Sequence, residues 1–232
     1  MIRKLSTVIG LGLALTIAIG AASVSQTQDK KAGAAGADLG DIYSMNPGII
    51  AVQTPFYPIK KCIVSGEALV AGEITDVIHD GRLVRFCCKM CTRQFQKDPA
   101  ATIAKLDAAA IAAQMPYYPL TDCLISDEAL GSMGDPIDLV HNGRLARMCC
   151  KGCVKSFQKD PAKYFATVDK AMIAAQLKTY TATTCPVAGE PLGAGTVNHL
   201  YGTQLVRTCC KKCTAAVDKD PDKYLAKVAV RR

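Results

Sequence analysis

The chain has 232 residues, half of them hydrophobic, and a formal charge of +8. It has no Trp, 6% aromatic residues and no patch interleaving Arg with aromatic rings, which argues against a nucleic-acid partner. Its mild basic excess reads as a soluble surface, and the cysteines, twelve in all, carry the information instead.

In chain order, Met1-Ile2-Arg3-Lys4 is a short basic start, Leu5 to Ala22 is apolar and uncharged, and small residues follow. That order predicts a secretory signal over residues 1–25, cut near Ala22 to Ser25. The rival is an uncleaved anchor, for which the apolar run is barely long enough. Cleavage would remove Arg3 and Lys4, lower the charge to +6 and leave no stable membrane span. The expected location is therefore periplasmic or secreted, within or beyond the cell envelope. Residues 26–53 are small and polar and predict a flexible linker.

All twelve cysteines then fall into one pattern written three times: a lone cysteine, then Cys-Cys-x-x-Cys. The copies are Cys62 with Cys87, Cys88 and Cys91; Cys123 with Cys149, Cys150 and Cys153; and Cys185 with Cys209, Cys210 and Cys213. Equivalent cysteines lie 60 to 62 residues apart, so the rest of the chain is three tandem modules over 54–114, 115–176 and 177–232.

Each module repeats the same signals. A Tyr (Tyr57, Tyr118, Tyr180) precedes the lone cysteine, and a turn ending in Glu67, Glu128 or Glu190 follows it. Two short strands come next, Ile74 to His79 with Arg82 to Phe86, and Ile137 to His141 with Arg144 to Met148. They are joined by Asp80-Gly81 and Asn142-Gly143, dipeptides suited to a type I′ hairpin turn. The third copy has Tyr201-Gly202-Thr203 there and predicts a different tip. The cysteine cluster lies where the outgoing strand ends and a brief helix begins. Asp98-Pro99, Asp160-Pro161 and Asp220-Pro221 then open a second helix, with Asp as N-cap and Pro at its first position. In the first two copies that helix runs to Gln114 and Gln176 and connects to the next module. The fold class is α+β: three small hairpin-plus-helix modules, treble-clef or zinc-knuckle-like, linked by helices.

A module of about 60 residues rarely builds enough core without a staple. Three chemistries fit four cysteines. In metal ligation, Cys88 and Cys91 are i,i+3 and Cys87 and Cys91 are i,i+4 at a helix start, so either pair can face one ion with the lone cysteine opposite. Three thiolates suit Cu(I) and four suit Zn²⁺. Arg85 and Lys89, Arg147 and Lys151, and Arg207 and Lys211 flank the clusters, either lowering thiol pKa values or simply facing solvent. The alternative is a disulfide-stapled secreted interaction protein, although adjacent cysteines must find partners in different directions. Thiol–disulfide exchange through Cys-x-x-Cys ranks third, because no module is long enough for a thioredoxin-like domain. His79, His141 and His199 lie too far from the clusters or at unmatched offsets. Phe95, Phe157 and Val217 recur one helical turn after the last cysteine and predict core beneath it. No phosphate loop, nucleophile–base pair or carboxylate pair recurs, so no enzyme is expected.

The stretch His79-Asp80-Gly81-Arg82-Leu83-Val84-Arg85-Phe86-Cys87 with Cys91, Phe95, Asp98 and Pro99 resembles the YHS and TRASH families of small heavy-metal-binding domains, as does the run from Asn142-Gly143 to Pro161. Cys185-Pro186-Val187-Ala188-Gly189 is similar to the opening of a YHS domain, and Asp220-Pro221-Asp222-Lys223-Tyr224-Leu225 to its close. The resemblance implies three ligands per module: Cys62, Cys87 and Cys91; Cys123, Cys149 and Cys153; Cys185, Cys209 and Cys213. A related ribosomal zinc knuckle has a second cysteine where Ser65, Ser126 and Ala188 stand. Cys88, Cys150 and Cys210 either replace that ligand or sit beside the site as reactive thiols. The function expected is that of an exported metal-binding protein holding about one zinc or copper(I) ion per module, as buffer, carrier or scaffold. Its partners are metal ions and, secondarily, a protein of the envelope.

Overall fold

A computed structural model of the chain describes residues 46–228. The predicted signal and most of the predicted linker lie outside the described residues. These residues fall within one compact unit, Asp38–Arg232. Among them, no helix is long and apolar enough to cross a membrane.

The order is α1 (Pro47–Gln53), a 3₁₀ turn (Thr54–Phe56), β1 (Thr75–His79), β2 (Arg82–Phe86), α2 (Lys89–Phe95) and α3 (Pro99–Gln114). A second 3₁₀ turn (Met115–Tyr117), β3 (Ile137–His141), β4 (Arg144–Met148), α4 (Lys151–Phe157) and α5 (Pro161–Leu177) follow. The last copy comprises β5 (Val197–Tyr201), β6 (Gln204–Thr208), α6 (Lys211–Lys219) and α7 (Pro221–Leu225). The class is α+β, with three separate two-stranded antiparallel sheets. One difference from the sequence expectation is α1, which lies inside the stretch 26–53 read as linker. Asn46 caps it by accepting from the Gly48 N–H at 3.0 Å, and Pro47 takes the first helical position.

Each hairpin closes through two residues. Asp80 and Gly81 have φ of 48° and 76°, and Asn142 and Gly143 of 48° and 84°, the type I′ pattern with both central residues left-handed. In the third tip only Gly202 has positive φ, at 60°, which is the type II′ pattern. Its missing side chain has a second reason, because a Cβ there would run into the Pro55 carbonyl. Asp98 and Asp160 cap α3 and α5 as expected, accepting from Ala101 N–H at 3.0 Å and Lys163 N–H at 3.2 Å, whereas Asp220 precedes Pro221 at the start of α7 without closing a side-chain bond.

The outgoing strands are buried on both faces. Val84 and Phe86, Ala146 and Met148, and Val206 and Thr208 face the module's own core. Leu83, Leu145 and Leu205 lie beneath the helix that precedes the module. One side chain ties that helix to the hairpin in every copy. Gln53 donates to Gly81 O at 2.6 Å and accepts from Leu83 N–H at 2.8 Å. Gln114 does the same with Gly143 O and Leu145 N–H, at 2.6 and 2.9 Å. Gln176 does so with Thr203 O and Leu205 N–H, both at 2.8 Å. The two linking helices therefore serve two modules each. Leu106 of α3, and Phe165, Val168 and Met172 of α5, complete the preceding core, while the glutamine in the last turn holds the following hairpin.

The three tips meet at residues 53–56. The Arg144 guanidinium lies over the Phe56 ring at 4.6 Å, Gly143 packs beside Phe56 and Gly202 against Pro55. Lys60 and Asp222 pair at 3.3 Å between the first and third copies. Replacing Gln114 by Ala strands a buried carbonyl and a buried N–H. It should lower stability by about 1–3 kcal/mol, read as a lower urea midpoint at unchanged slope. A midpoint equal to that of the native chain would deny the glutamine this role.

Candidate metal centres

The lone cysteine sits in a tight loop that folds back on itself. Cys62 N–H donates to Glu67 O at 2.7 Å and Gly66 N–H to Cys62 O at 2.9 Å. The other copies match, with Cys123 N–H to Glu128 O and Cys185 N–H to Glu190 O, both at 2.7 Å. The loop needs one left-handed residue, supplied by Gly66, Asp127 and Gly189 at φ of 79°, 57° and 75°. The recurring glutamates thus act through their main-chain carbonyls.

Opposite the loop, β2 ends at Phe86 and α2 begins at Lys89, so Cys87 leaves the strand, Cys88 is the N-cap and Cys91 is the third helical residue. This brings the sulfurs of Cys62, Cys87 and Cys91 within 4.8 Å of one another. Cys123, Cys149 and Cys153, and Cys185, Cys209 and Cys213, form the same triads within the same limit. Within them, Cys87–Cys91, Cys149–Cys153 and Cys209–Cys213 each lie 3.7 Å apart. A tetrahedron with metal–sulfur bonds of ~2.3 Å has edges of about 3.8 Å. One edge of each triad thus has the length that a tetrahedral thiolate site requires, and the remaining edges lie within 4.8 Å.

Cys88, Cys150 and Cys210 stand outside the mutually close triads yet touch one corner, at 3.7, 3.6 and 3.7 Å from Cys91, Cys153 and Cys213. Cys88 and Cys150 are half-buried and Cys210 is exposed. The N–H groups of Cys91 and Met90 face the Cys88 sulfur and hold its thiol below its ordinary pKa without closing a capping bond. All twelve thiols are free, and their closest separations are far beyond the ~2.05 Å of an S–S bond. The disulfide-stapled alternative thus has no bridge in this structure.

The flanking arginines are not aimed at the sulfurs. Arg85 lies directly across the hairpin from Asp76 and pairs with it at 2.8 Å, and Arg147 pairs with Asp138 at 2.7 Å. Arg207 meets Asn198 at 3.1 Å. Each also has its main-chain N–H taken by the recurring tyrosine hydroxyl, from Tyr57, Tyr118 and Tyr180 at 2.9, 3.3 and 3.0 Å. Lys89, Lys151 and Lys211 are exposed at the helix starts. His79 and His141 pack edge-on against Phe95 and Phe157, and His199 meets Asp218 at 2.7 Å, so no histidine joins a triad. Phe95, Phe157 and Val217 are buried beneath the clusters, as the sequence predicts.

Two donors were not foreseen as such. The Ser65 and Ser126 hydroxyls reach Cys87 and Cys149 at 3.3 and 3.4 Å, where Ala188 offers none in the third copy. Burial alone would raise the Cys62 thiol, but the Ser65 hydroxyl and the N–H groups of Ser65, Cys87 and Val64 outweigh it, bringing the pKa to about 6. Cys123 reaches about 6 against burial in the same way, with Ser126 as the largest donor. Cys185 is helped only by main-chain N–H and Cys209, and stops at about 7. Burial, reinforced by the neighbouring thiols, pushes Cys91, Cys153 and Cys213 up to about 12. A metal-free triad therefore carries its charge on the lone cysteine, and an ion must displace the proton held by Cys91, Cys153 or Cys213.

No family model, curated protein or solved structure matches this chain.

The shifts fix the sign of a pH dependence. From about pH 6 to 9 the folded, metal-free chain has released protons from Cys62, Cys123 and Cys185 that the unfolded chain still holds, so stability rises with pH. It is lost as pH falls through about 6 to 7. Above pH 9 the raised Cys91, Cys153 and Cys213 thiols reverse the slope. Urea midpoints of reduced, metal-free protein across pH 5.5–9.5 should therefore peak near pH 9, and a flat profile would contradict this charge distribution.

Proposed function

We propose that the chain is a non-enzymatic metal-binding protein of the cell envelope, holding one soft or borderline ion, Zn²⁺ or Cu(I), in each module. The observation that carries this is the threefold recurrence of three free sulfurs within 4.8 Å of one another, each set floored by buried residues. Three loops, three hairpins and three helix starts form the same arrangement in each copy. Thiolate sulfur is the donor chemistry those two ions prefer. The resemblance to YHS and TRASH domains and the treble-clef-like order of loop, hairpin and helix agree with this reading. Its envelope location rests on the export signal expected over residues 1–25.

Within that reading the triad supplies three ligands. The N-cap cysteine is the nearest candidate for a fourth, needing a side-chain rotation about a sulfur already within 4 Å of the site. An ion so held would act as the staple that modules of this size need. Buffering, delivery or scaffolding is the role we propose for those ions.

Native mass spectrometry of protein isolated from the envelope should show three bound ions, and Cys91→Ser, Cys153→Ser and Cys213→Ser should each remove one. A native mass without metal, together with a denatured mass light by two hydrogens per bridge, would instead establish the disulfide protein. Excess chelator should lower the melting temperature by roughly 10 °C or more, since each ion present at a thousand times its Kd contributes about 4 kcal/mol. An unchanged melting temperature would remove the ion as a staple.

A further inference from the structure

Resting on the metal-binding reading above, we infer that the third module is the exchange site, releasing its ion to a competing ligand while the first two retain theirs as structural staples. Four independent features of the third copy point the same way.

The first is hydrogen bonding to sulfur. Ser65 and Ser126 bring hydroxyls to 3.3 and 3.4 Å from Cys87 and Cys149, whereas Ala188 leaves Cys209 without one. Losing one hydrogen bond to a charged group costs about tenfold or more in an equilibrium.

The second is the floor. Phe86 and Phe95 lie beneath the first triad with ring centroids 5.4 Å apart, and Met148, Phe157 and Phe165 lie beneath the second. Beneath the third are Thr208 and Val217, with the Thr208 and Thr214 hydroxyls paired at 2.9 Å. A smaller, more polar floor orients the ligands less firmly and admits water more readily.

The third is the cover. Helices α3 and α5, of 16 and 17 residues, lie over the first and second modules. Among the described residues the third is covered by the five-residue α7, with Tyr224, Leu225 and Val228 against its core. Short elements with few buried contacts open most easily.

The fourth is access. Cys210 is exposed where Cys88 and Cys150 are half-buried, so an incoming thiolate or chelator meets an open flank.

The test loads the full chain with three equivalents of Zn²⁺ and challenges it with excess EDTA. A pulse of N-ethylmaleimide then maps which triad cysteines have become free. Cys185, Cys209 and Cys213 should be labelled about tenfold sooner than the other two triads, and native spectra should pass through a two-ion species. Ala188 is exposed, so Ala188→Ser can add the hydroxyl without displacing packing. That variant should slow labelling of the third triad towards the other two, and Ser65→Ala or Ser126→Ala should speed labelling of its own. Equal labelling of all three triads, or earlier labelling of the first or second, would overturn the inference and leave metal binding intact. Failure to retain any ion before the challenge would overturn both, and is seen in the starting spectrum.

Discussion

One glutamine amide per module holds the geometry on which every sulfur depends. Its carbonyl oxygen takes the N–H of the second residue of the outgoing strand, and its NH₂ meets the carbonyl of the second turn residue. These are main-chain groups at a hairpin tip, where neither strand can satisfy them and the helix above excludes water. An unpaired group there would cost about as much as a small module's entire net stability margin can spare. The strand so anchored is five residues long in each copy, and the cysteine cluster begins where it ends.

The chemistry at that end follows from placing opposite requirements side by side. A thiolate needs hydrogen-bond donors, and the folded-back loop and the serine hydroxyls provide them at the lone cysteine. A buried neutral thiol needs only apolar surroundings, and the third helical residue has those. The arginines supply no charge compensation there, because their partners across the hairpin claim them. Their contribution is to set strand register, because the Asp76–Arg85 and Asp138–Arg147 pairs lie directly opposite one another in the ladder.

How much of this the sequence discloses depends on whether a residue acts locally. Asp80-Gly81, Asn142-Gly143 and the Asp-Pro caps announce themselves because a turn or cap is decided by its own dihedrals. The cysteine triads are legible because their period is strict and sulfur has few uses. Gln53, Gln114 and Gln176 are not, since a polar residue ending a helix ordinarily faces solvent and their partners lie 27 to 31 residues away. Their constant offset of four residues before Tyr57, Tyr118 and Tyr180 is the signal that could have found them, and it would also have revealed α1 within the expected linker. The direction of Arg85 and Arg147 was open for the same reason: proximity in sequence to a cysteine competes with a strand partner nine residues earlier.

The meeting of the three tips at residues 53–56 has a mechanical consequence. Each outgoing strand carries its cysteines about 17 Å from its turn, so the sulfur triads stand away from a hub built of main chain, proline and aromatic rings. A pull applied to the chain ahead of Asn46 would load α1 and that hub first, and its load path would bypass the sulfur. Tension on the leading segment would then be borne by parts of the molecule that hold no cysteine.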